Sequence, residues 1–150
     1  MTEVLFYHLQ DMTLESVLPP LLEKSLERGW RVAVQSTSEE RTEALDAHLW
    51  TYREDSFLPH ATWRVGDAAD HPIILLVEES NPNRANVRFL VDNAPLPADS
   101  AIYDRVVLLF NGEDTDALAA ARNAWSDCKT RGFDVTYWQA DERGRWQKRD

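Results

Sequence analysis

The chain has 150 residues, 43% of them hydrophobic and 10% aromatic, and six are tryptophan. That apolar content excludes a disordered chain, and the size suits a single domain over residues 1–150 with one core. The net charge of −10, from 26 acidic and 16 basic residues, argues against a direct nucleic-acid binder, since phosphate neutralisation needs clustered Lys and Arg.

In chain order, Val4 to Leu9 is a short apolar run rich in strand formers and predicts a central strand buried on both faces. Leu14, Val17, Leu18, Leu21, Leu22 and Leu26 recur at helical spacing up to Gly29, a C-terminal stop. Pro19 and Pro20 fit that helix if its regular part begins near Ser16; otherwise they kink it. Arg31–Gln35 predicts a second strand, and Ser38 opens a second helix whose inner face carries Ala44, Leu45, His48 and Leu49. Trp50 to Trp63 shows no period and is expected as a loop with apolar content. Ile73–Val77, Val87–Val91 and Arg105–Phe110 read as buried strands, separated by the turn chemistry of Asn81-Pro82-Asn83 and Ala94-Pro95-Leu96-Pro97. Asn111 to Asp114 ends the last of these and caps a helix from about Thr115 to Arg131, closed by Gly132. Phe133–Trp138 alternates and predicts a final strand, with residues from about 139 to 150 expected as a flexible C-terminal extension. The sum is an α/β class domain with a mainly parallel, doubly wound sheet and helices on both faces.

Motifs for chemistry on small molecules are missing from the sequence. All five glycines (Gly29, Gly66, Gly112, Gly132, Gly144) are isolated, so no dinucleotide fingerprint or phosphate loop exists and no cofactor is implied. His8, His48, His60 and His71 are scattered, and no serine sits in a Gly-x-Ser-x-Gly turn. Cys128, the only cysteine, falls on the apolar side of the last helix and reads as a small buried hydrophobe. The N-terminus has no basic segment followed by an apolar stretch, which makes the cytoplasm the default address. Two alternatives remain: a small α/β enzyme with an unrecognised active site at the sheet's switch point, and direct single-strand DNA binding through the C-terminal basic residues, against which the net charge argues.

Charge is uneven along the chain. Residues 115–150 hold seven basic and six acidic side chains, against nine and twenty in residues 1–114. On the last helix Leu118, Ala121, Trp125 and Cys128 recur at helical spacing, with Arg122 and Lys129 flanking Trp125. One reading makes Trp125 core with two solvated cations over it. The other is a shallow apolar pocket rimmed by positive charge, suited to an acidic peptide with an apolar end. Separately, Trp50, Phe57 and Leu58 form either a satellite core or an exposed patch for a partner.

The chain resembles the chi subunit family of bacterial DNA polymerase III. The likeness rests on Phe6-Tyr7-His8-Leu9, Gly29-Trp30-Arg31-Val32, Leu45-Asp46-x-x-Leu49-Trp50, Ser56-Phe57-Leu58-Pro59-His60, and Arg122-x-x-Trp125 leading to Gly132-Phe133. The resemblance implies a Rossmann-like domain without nucleotide chemistry: a non-catalytic accessory subunit on the clamp-loader side of the holoenzyme. It implies that Arg122, Trp125, Lys129 and Phe133 grip the acidic C-terminal tail of single-strand DNA-binding protein, which ends in apolar residues and a free carboxylate. It further implies that Trp50, Phe57, Leu58 and Pro59 dock a psi subunit, another clamp-loader component or a helicase. Two departures stand out. Leu118 and Ser126 occupy positions where the family often has cations, and Asp127 adds a negative charge, so the grip is expected to be weaker or shifted toward Lys129, with the C-terminal residues Arg143, Arg145, Trp146, Lys148 and Arg149 as a source of the missing charge.

Overall fold

The structure, a computed structural model, describes residues 2–52, 59–62 and 68–149. The elements are β1 (Glu3–Leu9), α1 (Leu14–Glu27), β2 (Val32–Gln35), α2 (Glu39–Thr51), β3 (His60–Thr62), β4 (Ile73–Leu76), β5 (Val87–Leu90), β6 (Arg105–Asn111), α3 (Thr115–Thr130), β7 (Asp134–Ala140) and β8 (Trp146–Arg149). The strands form one sheet in the order β3-β4-β2-β5-β6-β1-β7-β8. Every neighbouring pair is parallel except β7 and β8, which form an antiparallel hairpin.

Because side chains alternate along a strand, the sheet has two apolar faces. Leu9, Val34, Leu75, Phe89 and Leu109 point to one, where α1 (Leu18, Leu22) and α2 (Leu45, Leu49) cover them. Val4, Phe6, Ile74, Leu90 and Phe110 point to the other, covered by α3 (Ala121, Cys128) and the segment around Ala94 and Tyr103. The expected doubly wound α/β architecture with helices on both faces is therefore present. β1 lies inside the sheet, between β6 and β7, with Phe6 opposite Leu108 on one side and Tyr137 on the other.

Three local points settle or correct an expectation. First, of the two starts left open for the first helix, α1 takes Leu14, where Thr13 caps it by accepting from the Ser16 amide. Pro19 and Pro20 therefore lie inside the helix, where Pro19 removes the amide that would bond the Glu15 carbonyl. His48 of α2 fills the gap, its Nε2 donating to the Glu15 carbonyl oxygen at 2.7 Å. Second, Ala44 is exposed; the buried face of α2 is Thr42, Leu45 and Leu49, and Thr42 hydrogen-bonds Ser36. Third, the stretch expected as a loop from Trp50 to Trp63 contains the end of α2 and a three-residue edge strand, β3, paired to β4. A strand that short shows no readable period.

One buried cation was not anticipated. Arg88 in β5 is fully buried, and all its N–H groups meet neutral acceptors: Gln35 Oε1, Tyr103 Oη and the carbonyls of Glu78 and Ser80. It staples the β4–β5 connection to the sheet, and a strand-forming context hid it in the sequence.

Candidate functional site

α3 is positioned by its ends. Asp114 caps the start by accepting from the amides of Asp116 and Ala117, and Gly132, at φ +80°, takes the left-handed conformation that ends the helix. Its buried residues are the small Ala117, Ala121 and Cys128, so the axis lies close to the sheet. The bulkier Leu118 and Trp125 are half-buried along the flank facing β7, and Arg122 and Lys129 stand exposed beside them. A groove of about 880 Å³ opens between this flank and the sheet.

Its floor is aromatic. The Trp125 ring meets Phe6 edge-on at 5.3 Å between centroids and Tyr137 at 6.0 Å. His8 closes one end, packed 5.2 Å from Phe110 and hydrogen-bonded through Nδ1 to Tyr137 Oη. Burial lowers the His8 pKa, so the ring is neutral at pH 7, and burial raises that of Tyr137 against the opposing charge of Arg122. Gly112 sits directly under His8: a Cβ there would come within 1.8 Å of Nε2.

The groove's charge has one sign. Arg122 from α3 and Arg149 from β8 line it, and among the described residues no carboxylate does, although the whole chain carries −10. Lys129 Nζ lies 5.4 Å from the Trp125 ring centroid, a cation–π contact. Asp127 does not line the groove; it pairs with Arg131 at 3.5 Å and borders the opposite side of α3. Such a surface can hold an apolar group against Trp125 while guanidinium groups bind a carboxylate in bidentate fashion.

The structure thus brings Arg122 and Trp125 together in the groove, with Lys129 against the Trp125 ring but not lining the groove itself. Phe133 is placed beyond the helix end, half-buried, with Arg131 Cζ 4.8 Å from its ring centroid, and does not line the groove. The opposite wall was not foreseen: Phe6, His8, Phe110, Tyr137 and Gln139 come from three strands that only the sheet order brings side by side. Of the cations in the last residues, Arg149 reaches the groove because it pairs opposite Tyr137 in the hairpin.

The second set is partly visible. Trp50 is 50% exposed at the end of α2, its ring 4.4 Å from His60, and Pro59 is half-buried next to it. Phe57 and Leu58 lie outside the described residues.

The crevice at the strand C-terminal ends, where open α/β sheets take ligands, has the opposite character. Asp11, Glu15, Asp92, Glu113 and Asp114 border it, with Arg41 bridging Glu15 and Asp92. The starts of α1 and α3 open there, but Thr13 and Asp114 already occupy first-turn amides that a phosphate would need.

A family model described as DNA polymerase III chi subunit, HolC, matches residues 1–136. A relative named "Probable DNA polymerase III subunit chi", from Rickettsia prowazekii (strain Madrid E), is 28% identical over 91 residues. That match covers 61% of this chain and 55% of the relative, so it spans about half the relative's length. β8, with Arg149, lies beyond the residues the family model matches.

Proposed function

The chain belongs to the DNA polymerase III chi subunit family, and on that premise we propose that it links the clamp-loader complex to single-strand DNA-binding protein by gripping that protein's acidic C-terminal tail in the α3–β7 groove. Chi is an accessory subunit of the replicative polymerase and is not itself catalytic. In this reading the tail's terminal phenyl group rests against Trp125, and Arg122 takes the terminal carboxylate with Arg149 alongside. Upstream acidic residues pass Lys129 toward Phe133. The observation that carries the reading is the groove's composition: an aromatic floor with two arginines and, among the described residues, no carboxylate, in a strongly acidic protein.

In the same reading, Trp50, Phe57, Leu58 and Pro59 are the residues that dock psi, another clamp-loader component or a helicase. The protein works in the cytoplasm; among the described residues no helix is long and apolar enough to cross a membrane. The crevice at the strand ends disfavours the enzyme alternative for any phosphorylated substrate, because its carboxylates repel such a group.

A labelled peptide with several acidic residues and a C-terminal Phe, titrated by fluorescence anisotropy, tests the tail site. Wild type should bind with micromolar Kd, about −8 kcal/mol, and more weakly as salt rises. Trp125→Ala and Arg122→Ala should each lose about 1–3 kcal/mol. Equal affinity in all three proteins would remove the assigned site.

A further inference from the structure

A second cleft, of about 520 Å³, lies on the opposite, α1-covered face of the sheet, under the β7–β8 hairpin. Lys24 and Arg28, one helical turn apart at the end of α1, form one wall; Arg145 of the hairpin forms the other. Aromatic rings lie between them. Trp138 stacks on Tyr7 at 6.2 Å with 26° between planes, and Trp146 packs against Tyr7 at 4.8 Å. Arg28 and Arg105 both lie over the Trp30 ring, at 4.9 and 4.8 Å. Glu3 pairs with Arg105 at 2.6 Å, whereas the side chains of Lys24, Arg28 and Arg145 form no ion pair among the described residues; the Arg145 backbone amide donates to Asp141 Oδ1. The cleft shares no residue with the tail groove.

Cations on both rims with half-buried aromatic rings between them match a polymer that carries charge along its backbone and flat rings along its middle. We propose that this cleft binds a short stretch of single-stranded nucleic acid, its phosphates on Lys24, Arg28 and Arg145 and a base against the Trp138–Tyr7–Trp146 cluster. The net charge of −10 opposes long-range attraction, so binding is confined to low ionic strength or to a strand already delivered by a partner. Lys24 and Arg28, four residues apart, lie about 6 Å apart along the axis, a spacing that an extended strand's successive phosphates can follow.

The full chain is titrated by anisotropy against a labelled oligothymidylate of about 15 nucleotides, and against an abasic oligomer of equal charge, over a salt series. Wild type should bind the thymidylate at low salt, with a log–log salt slope near −2 for three contacts at about −0.7 each. The abasic oligomer should bind at least tenfold more weakly. Lys24→Glu with Arg145→Glu, both exposed positions, should weaken binding at least tenfold with circular dichroism unchanged, and Arg122→Glu should leave it within twofold. Absence of binding at low salt, equal affinity for the abasic oligomer, or loss on Arg122→Glu but not on the double variant would each overturn the proposal. An acidic peptide that occupies this cleft in preference to the thymidylate would also overturn it. None of these results bears on the tail peptide, which is read out by Trp125 and Arg122.

Discussion

His8 shows how a single residue couples the core to the groove. Its ring is fixed by Phe110 behind it, Tyr137 beside it and Gly112 beneath it. Gly112→Ala has no room unless the ring moves, so it should cost about 1–2 kcal/mol by overpacking. In a His8→Ala background the same substitution should cost less, a non-additivity read by urea denaturation of the four proteins. The lowered His8 pKa sets a pH dependence. The unfolded chain binds this proton more readily than the folded one, so its contribution is present above about pH 6.5 and is lost as pH falls below that value. Wild type should therefore lose more stability than His8→Gln between about pH 7.5 and 5.5; parallel losses would show that another group carries the effect. Cys128 is buried, and its thiol pKa is raised to about 11, which keeps it a packing residue rather than a nucleophile.

Among the elements, the most informative is α1, where a neighbouring helix supplies the donor that one of its two interior prolines, Pro19, removes. His48→Ala should cost about 1 kcal/mol by leaving the Glu15 carbonyl unpaired. Pro19→Ala restores the helix's own amide donor, so the His48→Ala penalty should shrink in that background; an unchanged penalty would refute the repair. The same element shows where sequence reading stops. The buried parallel strands and the caps of α2 and α3 were legible because apolar runs and Ser, Asp and Gly punctuation are local signals. The repair of α1 by α2 depends on a contact between residues 15 and 48, which no local pattern encodes. β3, at three residues, is too short to announce itself, and β8, Trp146–Arg149, is mostly exposed and carries a single apolar residue, so it lacks the apolar run that marked the other four-residue strands. The helical half of the groove was visible as Arg122, Trp125 and Lys129, whereas His8, Phe110 and Tyr137 became neighbours only through the placement of β1 between β6 and β7.

Across the whole molecule, charge is sorted by surface. Carboxylates gather at the strand C-terminal ends, and cations gather in the two clefts that flank β7 on opposite faces of the sheet. Composition alone gives a uniform −10 and conceals this, because α3, the end of α1 and the hairpin meet only in the fold. Arg88 is the exception, a cation spent inside; Arg88→Met should cost about 3 kcal/mol or more, since it orphans Gln35, Tyr103 and two carbonyls. The five tryptophans among the described residues sample each surface separately: Trp125 in the tail groove, Trp30, Trp138 and Trp146 around the opposite cleft, and Trp50 at the end of α2. Indole N–H resonances in a ¹⁵N correlation spectrum, followed during titration with the acidic, Phe-terminated tail peptide, therefore test the central claim directly. The groove assignment predicts a saturable shift at Trp125, accompanied by the Arg122 and Tyr137 amides, while Trp30, Trp50 and Trp146 stay in place. Shifts confined to Trp50, or to Trp30 and Trp146, with Trp125 unmoved, would contradict it.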